Sequence, residues 1–140
     1  MGRLFAHSAS RVWSTVTSRS YPLFSHDPGP GIPTAETGRS FRVKTFPALT
    51  AEYSITADCE FLRVGPEKFL IFQLTTVDCH PCTFTAEWTF SSHGNKTRLL
   101  CRYSGFQTNH IHDMHIREIM VRGTRAALKG LTDALDVPPH

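Results

Sequence analysis

Two short segments concentrate the side chains that could bind a metal or carry out acid–base or redox chemistry. The first is residues 110–115 (HIHDMH), which hold three histidines and an aspartate. A zinc site needs three or four ligands at about 2.0–2.3 Å, and His112 and His115 would share one side of a helix. The order differs from the HxHxDH pattern of metallohydrolases. We predict no metal here, and His110, His112 and His115 are the candidate ligands if one binds.

The second segment is residues 79–82 (CHPC), a CxxC pair. Such a pair is redox-active when it opens a helix whose dipole stabilises a thiolate, but this one falls in a predicted turn between strands. A metal site built on these two cysteines and His80 would have too few ligands. We therefore interpret Cys79 and Cys82 as loop thiols. Cys59 and Cys101 lie on apolar strand faces and are predicted to be small buried hydrophobes.

Other classes of function receive little support. The sequence contains no GxSxG, HExxH or P-loop motif, and Asp58 and Glu60 share the polar side of a predicted strand. The net charge of +3 is mild, and the basic residues are dispersed, which argues against nucleic acid. No apolar segment approaches the roughly 18 residues of a membrane span. The sequence favours a protein that is not an enzyme and has no cofactor.

The elements that must position any site begin with one long helix, predicted from His112 to Asp136. Its apolar residues recur at spacings of three and four, and they are Ile116, Ile119, Met120, Gly123, Ala127, Leu131 and Ala134. This spacing gives one apolar face, and the opposite face is charged. The helix must bury its apolar face against the sheet that the preceding strands form.

Alternating apolar and polar residues predict those strands, which are joined by short turns into an antiparallel meander. The predicted strands are 39–46, 51–64, 69–77, 83–90 and 97–106. Residues 69–77 are apolar on both faces, which predicts a central strand that is covered on both sides.

The N-terminal 26 residues allow two interpretations. They contain three arginines, many serines and no acid before Asp27, which is the composition of a mitochondrial presequence. Alternatively, residues 3–6 form a short edge strand, and Ser8 or Ser10 caps a short helix. We favour the structural interpretation, one domain over residues 1–140 and a cytoplasmic protein, with a mitochondrial location as the alternative.

The predicted elements make an α+β fold in which a curved antiparallel sheet holds the C-terminal helix and leaves an apolar space between them. The residues predicted to line that space are Tyr53, Ile55, Phe72, Phe84, Trp88, Leu99, Tyr103, Ile116, Met120 and Gly123. The hydroxyl groups of Tyr53 and Tyr103 are the predicted groups that would orient a ligand.

Four segments, in the same order along the chain, resemble one family: residues 8–17, 38–43, 60–72 and 97–106. They are similar to the SRPBCC (START-like, helix-grip) superfamily, and more narrowly to the domain named after the activator of the ninety-kilodalton heat-shock chaperone ATPase. The resemblance implies a sheet of six or seven strands wrapped around the long helix. The chain departs from the family at Gly123-Thr124, where Gly-Trp is usual.

The resemblance and the residues together leave three functions open. The first is binding of a small hydrophobic or lipid-like molecule between sheet and helix. The second is a co-chaperone-like interaction with a heat-shock chaperone ATPase, through the basic outer face of the helix (Arg117, Arg122, Arg125 and Lys129). The third is a polyketide-cyclase-like enzyme, which would need polar groups inside the cavity.

Overall fold

A computed structural model describes residues 1–17, 25–26, 37–47, 54–77, 81–107 and 109–135. Its elements are β1 (Gly2–Phe5), α1 (Ala9–Thr17), β2 (Ser25–His26), β3 (Ser40–Pro47), β4 (Ser54–Gly65), β5 (Phe69–Thr76), β6 (Thr83–His93), β7 (Lys96–Ser104) and α2 (Ile111–Leu135). The predicted strands and the long terminal helix are therefore confirmed over the described residues, and the helix begins one residue earlier than predicted. Residues 51–53 of the second predicted strand and Asp136 lie outside the described residues.

The seven strands form one sheet in the order β1-β7-β6-β5-β4-β3-β2, and every neighbouring pair is antiparallel. Short turns join β4 to β5 and β6 to β7, as the sequence predicted. The β6–β7 hairpin closes where His93 pairs with Lys96, and Gly94 turns the chain with a φ of 65°. Glycine adopts that backbone conformation without strain.

The sheet curves around α2. The helix contacts β3 and β4 on one side and β7 on the other, although β5 and β6 lie between them in the sheet. The short helix α1 packs on β6, on β7 and on α2. The Arg11 guanidinium donates a 2.9 Å hydrogen bond to the carbonyl of Leu135, the last residue of α2. This contact satisfies one of the carbonyl groups that a helix end leaves without an intrahelical partner.

The core lies between the helices and one face of the sheet. Aromatic rings cross its centre edge to face, with centroids 6.1 Å apart for Phe61 and Phe72 and 5.6 Å for Phe72 and Trp88. The largest fully buried side chains are Trp88, Phe61, Phe72, Phe84, Leu70, Leu74, Leu99, Met120 and Leu131. Burying such side chains is the main source of stability in a fold of this size.

One expectation about β5 is wrong. The strand is central, but only its inner face is buried, since Gln73 on the outer face is exposed and Ile71 is half-buried. The apolar side chains on the outer face of β5 are covered by charged side chains of the neighbouring strands, and not by a layer of helices. Ile71 lies between Arg63 and Glu87 in the strand register, and the Arg63 guanidinium sits 5.1 Å from the centre of the Phe69 ring. Long charged side chains can shield apolar surface in this way.

The N-terminal segment contributes to the fold. β1 pairs with β7, Phe5 is 2% exposed, and Val12 and Val16 of α1 are fully buried. The strand and helix of the structural interpretation are thus both present. Neither helix in the described part of the chain is long and apolar enough to cross a membrane.

Candidate functional site

The residues predicted to line a cavity come together at the interface of the sheet with α2. Tyr103 is half-buried, Gly123 is buried on α2, and Tyr53 lies outside the described residues. The others are buried members of one core cluster: Ile55, Phe72, Phe84, Trp88, Leu99, Ile116 and Met120. The structure places this set in one continuous interior, where the side chains pack against one another.

A short polar chain crosses this interior. The Tyr103 hydroxyl lies 2.6 Å from the Thr124 hydroxyl on α2, and it accepts a 3.3 Å hydrogen bond from Nε1 of Trp88. Burial raises the pKa of Tyr103 well above its ordinary value. The hydroxyl predicted to orient a ligand is therefore neutral, and it joins β6, β7 and α2.

A groove of about 220 Å³ opens on one side of Tyr103, between β7 and the first half of α2. Its walls include Cys101 and Tyr103 from the strand and Arg117 and Val121 from the helix. The groove brings the Tyr103 ring to the surface, which accounts for its partial exposure.

A larger cavity of about 410 Å³ lies at the end of the sheet where α2 begins, and we call it the mouth cavity. It is lined by Pro81, Cys82, Thr83, Gly105, Gln107, His110 and Asp113. These residues come from the start of β6, the segment after β7 and the first turn of α2. Along the chain Phe84 follows the lining residue Thr83, and Phe106 lies between Gly105 and Gln107; the two rings stack with centroids 4.8 Å apart.

Asp113 is the buried charge of the mouth cavity, with 9% of its surface exposed. Its Oδ2 atom accepts a 2.8 Å hydrogen bond from the backbone N–H of Gln107, and the Cys82 thiol also donates to the carboxylate. The His110 Nδ1 atom lies 3.6 Å from Oδ1. The Gln107 hydrogen bond is the main cause that holds the pKa of Asp113 below its ordinary value, so this carboxylate is ionised at neutral pH.

The histidine segment makes a separate surface hollow of about 450 Å³, lined by His110, Ile111, His112 and His115. The His110 and His112 rings are 6.5 Å apart, and Ile111 is 89% exposed. Within the described residues, no three histidine, cysteine, aspartate or glutamate side chains are arranged to hold a metal ion.

The described cysteines are buried thiols. Cys59, Cys82 and Cys101 form no disulfide among the described residues, and each is 2% exposed. Burial raises the pKa of Cys101 to about 12, and it raises the pKa of Cys59 further. The prediction of small buried hydrophobes is confirmed for Cys59 and Cys101, while Cys79 lies outside the described residues.

Sequence reasoning did not find the mouth cavity. It gave Asp113 no role of its own, and it treated the segments around Cys82 and His110 as unrelated. The available signal was a carboxylate on the third residue of a helix, a position from which side chains often reach back to a preceding N–H group. The contact between that carboxylate and the thiol is a tertiary feature.

Comparison with known families settles the identity of the fold. A sequence profile described as "Activator of Hsp90 ATPase homolog 1-like protein" matches residues 6–136. The chain belongs to this family. A search among curated proteins finds no match to this member of the family.

Solved structures share the helix-grip architecture of this family member. Protein MLL2253 from Mesorhizobium loti is 18% identical with a TM-score of 0.72, and the match covers 98% of this chain and 97% of that one. CalU16 from Micromonospora echinospora is 17% identical with a TM-score of 0.67, with 96% and 73% covered. DynU16, a putative protein in the dynemicin biosynthetic locus, is 19% identical with a TM-score of 0.71, with 98% and 46% covered. At these identities the likeness establishes the fold alone.

Proposed function

We propose that the protein binds a small, mainly apolar molecule at the interface of α2 with the sheet, and that the mouth cavity is its entrance. The observation that carries the proposal is a cavity of about 410 Å³ at the start of α2, where Gln107, His110 and Asp113 converge and the buried Cys82 forms part of the wall. Ligand sites are usually concavities of this size, with apolar walls and a few polar groups that fix orientation.

The apolar part of the ligand would lie toward the interior from the mouth cavity. Cys82 and Phe84 are both buried and alternate along the strand, so the floor of the cavity continues into the inner face of β6. On α2, Ile116 follows Asp113 by one turn and is 4% exposed. We therefore place the apolar part against Phe84, Phe106 and Ile116.

The remaining predicted lining residues would form the far wall of the site. Phe72, Trp88, Leu99 and Met120 are packed together, so a longer ligand must displace some of them. Met120 is suited to this, because its unbranched side chain adapts to irregular spaces.

Native mass spectrometry and calorimetry test the proposal. We expect gently purified protein to carry a small molecule that is lost on denaturation, and ligand-free protein to bind octanol. An Ile116→Trp variant should fill the inner side of the mouth and weaken octanol binding by about tenfold or more, at a cost of about 1–3 kcal/mol in stability.

The matched control is Ile111→Trp, the same change on the same helix at a position that is 89% exposed. It should leave octanol affinity unchanged. Absence of octanol binding to the wild-type protein, or equal loss in both variants, would contradict the proposal.

A second candidate is a co-chaperone-like interaction, favoured by the family description and by the outer face of α2. Arg117, Arg125 and Lys129 are exposed there, while Arg122 forms a 2.8 Å ion pair with Glu118. A cytoplasmic heat-shock chaperone with an acidic surface is the partner this face would fit. A pull-down should then weaken with salt and with Arg125→Ser, and a salt-independent interaction would exclude this face.

A further inference from the structure

We infer that the mouth cavity recognises a cationic head group, so that the preferred ligand is an apolar molecule ending in a protonated amine. This inference rests on the proposed function and specifies the class of ligand. It follows from the state and surroundings of Asp113 within the mouth cavity.

In the part of the chain that the structure describes, the Gln107 N–H group and the Cys82 thiol donate to the Asp113 carboxylate, and the His110 Nδ1 atom lies 3.6 Å from Oδ1. None of these groups is a lysine or an arginine. The Gln107 and Cys82 groups are neutral donors, which stabilise the carboxylate without cancelling its charge. The described neighbours of this carboxylate therefore leave its negative charge without a fixed positive charge to balance it.

The carboxylate also has acceptor capacity left. Its two oxygens offer about four acceptor sites, and the Gln107 and Cys82 donors use two of them. The His110 Nδ1 atom, at 3.6 Å from Oδ1, is beyond hydrogen-bond distance. An incoming ammonium group, which carries three donors, could therefore bind without displacing a described contact.

The structural role of Asp113 does not account for the cavity around it. A carboxylate in the first turn of a helix is stabilised by the helix dipole, and its bond to Gln107 anchors the segment after β7. That role requires only the carboxylate and one N–H group. The wall of Pro81, Thr83 and Gly105 leaves about 410 Å³ of open space in front of it.

The preference for a cation would come from the mouth cavity itself and not from the charge of the whole protein. The formal net charge of the chain is +3, so the field of the whole molecule disfavours cations and favours anions. A higher affinity for an amine at neutral pH thus identifies the carboxylate as its source.

Three probes with the same alkyl chain test the inference: octylamine, octanol and octanoate. Calorimetry at neutral pH, with a chelator present to remove metal ions, gives the affinity of each. We expect octylamine to bind about tenfold more tightly than octanol, as a charge-assisted hydrogen bond would predict, and octanoate to bind most weakly. In Asp113→Asn the advantage of octylamine over octanol should fall to about twofold or less.

Asp133→Asn is the matched control, since it removes an exposed carboxylate from the far end of the same helix. It should preserve the order of the three probes. Retained octanol binding in Asp113→Asn shows that this variant is folded and that its site is intact.

The outcomes separate the two proposals. If none of the three probes binds, the proposed function is wrong. If all three bind the wild-type protein equally, or if the advantage of octylamine survives in Asp113→Asn, ligand binding stands and the inference about the head group is wrong.

Discussion

At the scale of single residues, Tyr103 both packs its ring against the core and places its hydroxyl in a network of hydrogen bonds. Its hydroxyl contacts Thr124 and Trp88, which are each 1% exposed, so neither partner can turn to water if that hydroxyl is removed. The sequence predicted that Tyr103 faces the interior. It did not reveal the partner, because the contact between Tyr103 on β7 and Thr124 on α2 is a tertiary feature.

Removing the hydroxyl should therefore cost more than one ordinary hydrogen bond. We expect Tyr103→Phe to lower the free energy of unfolding by about 1–3 kcal/mol, because two buried polar groups lose their partner. The double variant Tyr103→Phe/Thr124→Val should be less destabilised than the sum of the single variants. Urea unfolding of the four proteins measures this coupling, and additive losses would show that the two hydroxyls act independently.

At the scale of elements, a side chain as well as a turn holds the start of α2 to the sheet, since the His110 N–H group donates a 3.1 Å hydrogen bond to the Gln107 carbonyl. Asp113 connects the helix to Gln107 after β7 and to Cys82 before β6. The helix itself was predictable, because its apolar spacing and its charged outer face are both local features of the sequence. The contact of Asp113 with Cys82 was not, since it joins segments that are distant along the chain.

This connection gives stability a specific pH dependence. The pKa of Asp113 is lowered in the folded protein, so its contribution is complete above the ordinary carboxyl pKa of about 3.9 and is lost as the pH falls through the folded value. Wild-type protein should be more stable than Asp113→Asn at about pH 7, and the difference should shrink toward about pH 3. Urea unfolding at several pH values measures it, and a difference that is constant with pH would contradict the assignment.

At the scale of the whole molecule, the sequence identified the architecture because its signals repeat over many residues. Alternation such as Ile55, Ala57, Cys59 and Phe61 marks one face of a strand, and all four are buried. The outer face of β5 was assigned wrongly, because Phe69 and Ile71 give the same apolar pattern whether a helix or an arginine side chain covers them. The mouth cavity was missed for a related reason, since open space has no pattern in a sequence.

The central claim, that an apolar molecule binds between α2 and the sheet at the mouth cavity, is tested most directly by nuclear magnetic resonance. Isoleucine methyl groups report on three places: buried Ile116, one turn after Asp113 on α2; exposed Ile111 at the start of α2; and Ile71 on the outer face of the sheet. With isoleucine-labelled protein and octanol, we predict nuclear Overhauser effects from the alkyl chain to Ile116 and none to Ile71. Contacts confined to Ile111 or Ile71, or no contact at all, would contradict the account.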